Sequence, residues 1–512
     1  MEVGVPAPSS PPGWSRRDFL GAAVGAGLAG WEGASAGLGG SDAGGGAVAV
    51  RRTTRSADLT ALADELVTKH RIPGALVGTL QRGEVSFGAA GVANLNTGLP
   101  MTEDTGFLTG SITKVWTSTL VMTFVDDGTI DLDRPVSGYL PHFRWAGGAI
   151  TTRQLLNHSS GLDAGDYLLE LGAGPEAHRR YADLLTRVDA IHRPGAYSSY
   201  CNGGFILAGH LIEYLTGKSF DQLLRERVIG PLGLERTVTS ADEAILHRTA
   251  VGSLPDPERP GAHRVTPKFL LPRSAAPAGA TLITTLADQL EFAAMHLGAG
   301  RGRRGTRVLS EASAGAMATR TIGRPVGSGG FGLGWGVSGL PGAIRLSHSG
   351  GSNGGIAQLV VIPGDQFAFA SFANSSSSYG FHAELQQRVM ATAGSNRPAS
   401  PPRPEVVAKP AALESRLVLG RYRRMSQWIS IEAEGSRLVA EVTVVPEEFH
   451  GSEVYNLGQK RRFEVIPTGP SQLASVEPVL LGQTMTFDFF DPAADGRFGR
   501  VYSAGRLSRR AE

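Results

Sequence analysis

Apolar and polar residues recur with two different spacings before the proline-rich stretch at 395–410, and together they predict a mixed α and β domain. The segments with helical spacing are 59–69 and 205–215, and those with strand patterns are 75–80, 84–90, 345–349, 358–363 and 367–373. Gln81-Arg82-Gly83 provides a turn between the first two strands, which predicts a hairpin. The strands predict one sheet with helices packed against it.

Three further segments carry local signals. Residues Thr151 to Leu162 predict a helix that is capped by a threonine and ends at Gly161. Residues Gly330 to Val337 alternate as a strand does, and 240–275 is rich in proline and arginine and predicts a loop.

The proline-rich stretch at 395–412 predicts a linker between domains. Beyond it, within 413–512, short apolar runs return at regular spacing with turn residues between them and few helical signals. This pattern predicts a small antiparallel β-barrel or sandwich.

The first candidate for chemistry is Gly110-Ser111-Ile112-Thr113-Lys114, which opens an apolar helix. Residues three apart lie on one face of a helix, so the Lys114 amine can reach the Ser111 hydroxyl. A serine becomes a strong nucleophile when a neighbouring base takes its proton, and a lysine with a lowered pKa can do this. A serine that only caps a helix, followed by a solvated lysine, would have the same sequence. The motif therefore indicates catalysis only if other catalytic residues are found elsewhere in the chain.

Two later stretches offer such residues. Tyr200 and Asn202 precede the apolar helix at 205–215, where a loop could expose them; a tyrosine can move a proton if cations hold down its pKa. His348 lies near the end of the strand predicted at 345–349, and the glycines after that strand, Gly350 and Gly351, allow a close backbone approach to a ligand. His158 is better interpreted as a structural histidine.

Composition narrows the possible functions. The chain has 512 residues, a formal net charge of +2 and one cysteine, Cys201. The small charge indicates no nucleic-acid partner, the single cysteine allows no internal disulfide, and no apolar run is long enough for stable membrane insertion. Metal-site and nucleotide-loop motifs are absent, so we expect no cofactor.

The N-terminus predicts export. Ser15-Arg16-Arg17-Asp18-Phe19-Leu20 is similar to the twin-arginine motif, and a short apolar run and Ala34-Ser35-Ala36 follow it. We therefore predict a signal peptide at 1–36, a glycine-rich linker at 37–55, and a location in the periplasm or outside the cell. An incidental arginine pair in an N-terminal tail is the alternative.

Ser-x-x-Lys, Tyr-x-Asn and His-x-Gly, in this order, resemble the motifs of the serine β-lactamase and penicillin-binding-protein superfamily, particularly its class C-like esterases and D-aminopeptidases. The resemblance covers 56–394. It implies an α/β (α+β) fold in which an antiparallel sheet is flanked by helices, with an all-helical subdomain at about 120–275. The C-terminal domain at 413–512 resembles the lipocalin-like barrels that some members carry.

The same resemblance implies roles for the motif residues. Ser111 would be the acylated nucleophile, and Lys114 and Tyr200 would share the base and acid roles. Asn202 and His348 would bind substrate. The backbone N–H groups of Ser111 and of Gly351 or Ser349, beside Gly350, would form the oxyanion hole. His348 stands where class C β-lactamases carry a lysine, which disfavours β-lactamase action.

We therefore predict an exported, cofactor-free serine hydrolase that acts through an acyl-enzyme on small esters or on D-amino-acid-containing peptides. There are four alternatives: a β-lactamase or penicillin-binding protein, an acyltransferase or peptide cyclase, a β-lactam sensor without turnover, and an inactive scaffold whose barrel binds a partner. The intact Ser111, Lys114 and Tyr200 disfavour the last. The expected partner is a small-molecule or peptide substrate, and the oligomeric state stays open.

Overall fold

The computed structural model describes residues 55–165, 168–339, 343–393, 413–444, 460–479 and 484–511. The predicted signal peptide at 1–36 and nearly all of the two predicted linkers lie outside these residues. The described residues form an α and β domain followed by a closed β-barrel.

The large sheet of the first domain is antiparallel and has nine strands among the described residues, in the order β3-β2-β1-β13-β12-β11-β10-β9-β8. The strands of this domain are β1 (Gly74–Gln81), β2 (Glu84–Asn94), β3 (Leu99–Pro100), β4 (Phe107–Leu108), β5 (Ser253–Pro255), β6 (His263–Val265), β7 (Ile283–Thr284), β8 (Ile322–Gly323), β9 (Gly330–Phe331), β10 (Gly336–Ser338), β11 (Arg345–Ser352), β12 (Gly355–Ile362) and β13 (Phe367–Ala373). The predicted hairpin is confirmed as β1–β2, and the strands predicted at 358–363 and 367–373 pair with each other as β12 and β13.

Helices cover both faces of this sheet. They are α1 (Ser56–His70), α2 (Thr113–Asp126), α3 (Thr152–Leu156), α4 (Pro175–Leu185), α5 (Asn202–Thr216), α6 (Phe220–Leu224), α7 (Gly230–Leu232), α8 (Ala241–Ala244), α9 (Leu286–Leu297), α10 (Glu311–Ala318) and α11 (Tyr379–Thr392). Alternate residues of β1 pack to opposite sides, Leu76 with the α2 side and Val77 with the α1 and α11 side. In the described ranges, no helix combines the length and the apolar character that crossing a membrane requires.

Helix α2 lies at the centre of the larger core. Its residues from Thr113 to Phe124 are all buried, and the Trp116 ring stacks on Phe292 of α9 at 3.8 Å between centroids. A helix that is buried all round is fixed by packing on every side, which holds its first residues firmly in place.

Two predicted elements are shorter in the structure. The helix predicted from Thr151 to Gly161 has the expected Thr151 cap but ends at Leu156, because the backbone turns away and His158 adopts a positive φ of 63°. The strand predicted over Gly330 to Val337 is a pair of short strands, β9 and β10, joined by a turn at Gly334, whose φ is 80°.

Helices are the main regular elements of the region 120–275, but they are not the only ones. The region also contains the short hairpin of β5 and β6, and the part predicted as loop, 240–275, contains that hairpin and α8. The prediction of an all-helical subdomain was therefore wrong in this detail.

The C-terminal part is a closed antiparallel barrel of eight strands among the described residues, preceded by the short helix α12 (Ser415–Val418). Its strands are β14 (Gly420–Arg424), β15 (Gln427–Glu434), β16 (Arg437–Val444), β17 (Lys460–Gly469), β18 (Gln472–Ser475), β19 (Thr486–Pro492), β20 (Phe498–Ser503) and β21 (Arg506–Arg510). A barrel is the first of the two architectures that the strand pattern allowed. The sequence pattern did not reveal β18 or β21.

Candidate active site

Ser111 lies in a tight 3-10 turn, Gly110–Ile112, that leads directly into α2. Residues three apart eclipse one another in such a turn, so Ser111 and Lys114 face the same way. Lys114 Nζ is hydrogen-bonded to Ser111 Oγ at 3.1 Å and also donates to the carbonyl oxygen of Ala278. The structure thus brings the predicted nucleophile and lysine together.

Burial controls the charge of Lys114. Its side chain has no exposed surface, and desolvation lowers its pKa well below the usual 10.5. The positive charge of Arg506 lowers the pKa of Lys114 further, whereas Cys201 acts in the opposite direction. A lysine in this setting favours the neutral amine, which is the form that can accept a proton from a serine.

Tyr200 lies across the site from this pair. Lys114 Nζ is 4.9 Å from the centroid of the Tyr200 ring, and the ring has no exposed surface. Burial raises the pKa of Tyr200 above its usual 10, although Ser111 and Arg506 act to lower it. The condition under which Tyr200 could act as a base, a pKa held down by cations, is therefore not met, because desolvation is the larger effect and favours the protonated phenol.

Asn202 is the first residue of α5 rather than part of a loop, and Cys201 caps that helix. The Asn202 amide donates to the carbonyl oxygen of Gly165 at 2.8 Å, which fixes its position beside Tyr200. His158 lies beneath this segment: its Nδ1 accepts the backbone N–H of Cys201 at 3.0 Å, and its ring packs 4.3 Å from that of Tyr200. These contacts fit the structural role predicted for His158, because its ring supports the backbone and the ring of the Tyr200 segment.

His348 belongs to β11, with its ring 6.3 Å from the Tyr200 ring centroid. Its Nδ1 donates to the Ser349 carbonyl at 2.7 Å, and its Nε2 is buried without a hydrogen-bond partner among the described residues. Burial, with the Lys114 charge, lowers the pKa of His348 to about 3. The position at which class C β-lactamases carry a lysine is therefore occupied here by a histidine that is neutral at neutral pH.

The glycines after His348 continue β11 instead of ending it, and they let the strand pass directly against the nucleophile turn. A Cβ on Gly350 would lie 1.8 Å from the Thr109 carbonyl oxygen, and one on Gly110 would lie 2.7 Å from the Gly351 nitrogen. From the other side, a Cβ on Gly279 would lie 2.8 Å from the Ser111 nitrogen. The backbone around Ser111 is therefore enclosed by backbone on two sides.

Three contributors to this site were missed by the sequence analysis. The Ala278 carbonyl and Gly279 are far from any motif, and Arg506 lies on the barrel strand β21, which the sequence pattern did not reveal. Each acts through its place in the fold, so no local signal marks it. Among the described residues, no group of three or more His, Cys, Asp and Glu side chains is arranged to hold a metal ion.

The family model described as "Beta-lactamase" matches residues 59–394. The chain belongs to the beta-lactamase family. Among characterised relatives, "Penicillin-binding protein 4" of Amycolatopsis lactamdurans is 36% identical over 377 residues, which cover 70% of this chain and 96% of that protein. A D-aminopeptidase of Brucella anthropi is 33% identical over 193 residues, 36% of each chain.

Solved structures extend the likeness beyond the family domain. A crystal structure of SurE superposes with a TM-score of 0.71 at 26% identity, covering 89% of this chain and 99% of that one. A second structure, of SurE with D-Leu, superposes with a TM-score of 0.68. The Ser111 site, with the family assignment, identifies the protein as a serine hydrolase of the beta-lactamase family.

Proposed function

We propose that this hydrolase cleaves esters or amides of D-amino-acid-containing substrates through an acyl-enzyme on Ser111. The observation that carries the proposal is the fully buried Lys114 amine, which has a lowered pKa and is held 3.1 Å from Ser111 Oγ. Ser111 and Lys114 thus supply a nucleophile and its base from a single turn of helix.

In the proposed reaction, neutral Lys114 takes the proton of Ser111 as Oγ bonds to the substrate carbonyl carbon. The carbonyl oxygen becomes an oxyanion, which the backbone N–H groups of Ser111 and Gly351 stabilise. The tetrahedral intermediate collapses and breaks the bond to the leaving group. Tyr200 gives that group its proton and regains one from the Lys114 ammonium. Water then attacks the acyl-enzyme ester on Ser111. The proton transfers run in the opposite direction, which releases the acid product and restores the Ser111 hydroxyl.

The preference for D-residues is supported by two of the comparisons. The Brucella anthropi relative is a D-aminopeptidase, and one SurE structure was determined with D-Leu. We expect the acyl pocket beside Tyr200 and Asn202 to accept a D-configured residue better than its L-counterpart.

The experiment that tests this proposal compares hydrolysis of the p-nitrophenyl esters and p-nitroanilides of D- and L-phenylalanine by wild-type protein and Ser111→Ala. We expect kcat/KM for the D-substrates to exceed that for the L-substrates by about tenfold or more, and Ser111→Ala to be inactive. Equal rates for both enantiomers would reject the D-preference. Full activity of Ser111→Ala would reject the mechanism.

Penicillin binding is the second candidate, because the match to "Penicillin-binding protein 4" covers nearly all of that protein. Against efficient β-lactam turnover stands His348, which is neutral where a lysine would recognise the β-lactam carboxylate. We expect benzylpenicillin to acylate slowly if at all. Rapid consumption of the drug by wild-type protein and not by Ser111→Ala would favour this candidate over the first.

Export is also part of the proposal. It rests on Arg16-Arg17 and the apolar run after them, which lie outside the described residues. Replacement of both arginines by lysine should retain the protein in the cytoplasm if the twin-arginine route is used. Unchanged recovery outside the cytoplasm would contradict this route.

A further inference from the structure

One turn of the barrel enters the active site. Strands β20 and β21 are joined at Ala504 and Gly505, which both adopt positive φ, 50° and 78°. The Gly505 carbonyl accepts the backbone N–H of Tyr200 at 3.0 Å, and the backbone N–H of Leu507 donates to Ser199 Oγ at 3.1 Å. The turn is therefore bonded to the two residues that precede Cys201, one of which is the candidate acid.

Arg506, between these two anchors, points into the site. It is only 4% exposed, and its guanidinium carbon lies 5.0 Å from the centroid of the Tyr200 ring. Its Nη2 donates to the Gly165 carbonyl oxygen at 3.2 Å, and the Asn202 amide donates to the same oxygen at 2.8 Å. Arg506 thus packs against the Tyr200 ring, and it is linked to Asn202 because both side chains donate to the Gly165 carbonyl oxygen.

Gly165 allows Arg506 to approach Tyr200 and Asn202, because it has no side chain. A Cβ at this position would lie 2.9 Å from Arg506 Nε and 2.6 Å from the Tyr200 carbonyl oxygen. The barrel arginine therefore fits into a space that only glycine leaves open. A contact fitted this closely from both sides is built into the fold rather than incidental.

Arg506 also places a positive charge near Lys114: the Arg506 guanidinium carbon and Lys114 Nζ lie 5.0 and 4.9 Å from the centroid of the same Tyr200 ring, and Arg506 adds to the lowering of the Lys114 pKa that burial causes. A guanidinium keeps its proton at any working pH. The other titratable groups that face Lys114 are Tyr200, Cys201, His158 and His348; burial holds both histidines neutral and raises the pKa of the phenol and of the thiol. Asp163 acts on Cys201 from one step further away.

We propose that Arg506 is a positioning residue of the hydrolase site, which holds Tyr200 and Asn202 in place and supplies the fixed positive charge beside Lys114. The barrel then completes the active site instead of merely covering it. This inference rests on the proposed function, because it assigns to Lys114 the role of base.

The test measures kcat and KM against pH for the wild type, Arg506→Met and Arg506→Lys. Removal of the neighbouring charge lets Lys114 hold its proton to higher pH, so the acidic limb of the Arg506→Met profile should move upward by about one pH unit. Its kcat at the optimum should fall about tenfold to a hundredfold. Arg506→Lys should restore the position of the limb but not the full kcat, because an ammonium lacks the planar fork.

Arg509→Met is the matched control. Arg509 lies on the same strand and pairs with Asp189 of the first domain at 3.3 Å, but on the surface and away from Tyr200. We expect its pH profile and kcat to match those of the wild type. If Arg506→Met does not fold, Arg506→Gln replaces it, and the same shift of the limb is expected.

Ser111→Ala in the same assay separates the two proposals. If Ser111→Ala is inactive while Arg506→Met has the wild-type kcat and pH limb, the inference about Arg506 is wrong and the proposed function stands. A fall in kcat at every pH, with no movement of the limb and no rescue by lysine, would also reject the inference. Activity that survives in Ser111→Ala would reject the proposed function itself.

Discussion

At the scale of single residues, burial separates the roles of Lys114 and Tyr200. Desolvation disfavours the charged form of each, so it lowers the pKa of the amine and raises the pKa of the phenol. Burial therefore favours the uncharged form of both groups beside Ser111, an amine that can act as base and a phenol that can act as acid. The pKa values of the two groups are shifted in opposite directions. One site can therefore carry out both proton transfers, one through the amine and one through the phenol.

The proposed role of Tyr200 as proton donor predicts a dependence on the leaving group. Tyr200→Phe should lower kcat/KM for the p-nitroanilide of D-phenylalanine by about 10²–10³-fold, because a departing amine needs a proton. The p-nitrophenyl ester, whose leaving group departs as a stable anion, should lose less than about tenfold. Steady-state kinetics with both substrates measures this. Equal losses for the two would contradict the role.

The lowered pKa of Lys114 predicts a stability that depends on pH. The unfolded chain binds a proton at Lys114 up to about pH 10.5, whereas the folded chain releases it at lower pH, so the unfolded state binds more protons in between. Wild-type stability should therefore rise with pH, relative to Lys114→Met, by up to about 1.4 kcal/mol per pH unit within that window. Urea unfolding at several pH values measures the difference.

Lys218→Met is the control for this measurement. Lys218 forms a surface ion pair with Glu226 at 2.7 Å, and its loss should change the free energy of unfolding by less than about 1 kcal/mol. A difference between wild type and Lys114→Met that stays flat with pH would show that Lys114 titrates normally in the folded protein, which would contradict its role as a neutral base.

At the scale of elements, the site is formed where backbone segments approach one another with no side chain between them. The Gly110–Ile112 turn sits between β11 on one side and the Gly279 backbone on the other. This enclosure fixes the backbone of the nucleophile turn, and with it the start of helix α2, beside β11.

The approach of β11 predicts that Gly350→Ala disables the protein. The added methyl would lie 1.8 Å from the Thr109 carbonyl oxygen, so the strand must move away from the nucleophile turn. A displacement of that kind should cost about 10²-fold in kcat, measured on the D-phenylalanine ester. Gly315→Ala is the control: Gly315 is exposed in α10 with open space around it, and alanine there should stabilise by about 0.5–1 kcal/mol without affecting kcat. Equal activity of the two variants would contradict the enclosure.

Sequence reasoning predicted those parts of the site that depend on local spacing. Ser111 and Lys114 are held by one turn of backbone, and the glycines after His348 signal a close approach wherever they fold. Arg506 and the Ala278 carbonyl act only because the chain returns to the site, and no local pattern encodes that return. The rise in the pKa of Tyr200 was missed for the same reason, because its burial depends on long-range packing.

At the scale of the whole molecule, the barrel is joined to the first domain by polar and apolar contacts. The Met425 N–H donates to Asp163 Oδ2 at 2.9 Å, and Arg500 Nη1 donates to the Ile191 carbonyl at 2.6 Å. The Met425 side chain also packs against the core that contains α2. The turn between β14 and β15 is thus a second point of attachment besides the turn that carries Arg506.

The contact of Met425 predicts a stability cost when it is shortened. Met425→Ala removes apolar packing between the two domains and should lower the free energy of unfolding by about 1–2 kcal/mol, less than a fully buried methionine would. Ile466→Ala, at an exposed position on the barrel, should change it by less than about 0.5 kcal/mol. Urea unfolding measures both. Equal effects would argue that Met425 does not join the domains.

The measurement that tests the central claim most directly is the intact mass of the protein, acid-quenched within milliseconds to seconds of mixing with a D-phenylalanine p-nitrophenyl ester, followed by peptide mapping. The acyl-enzyme mechanism predicts a mass increase equal to one acyl group, located on the peptide that contains Ser111 and absent from Ser111→Ala. An adduct on another residue, or turnover that persists in Ser111→Ala, would contradict it.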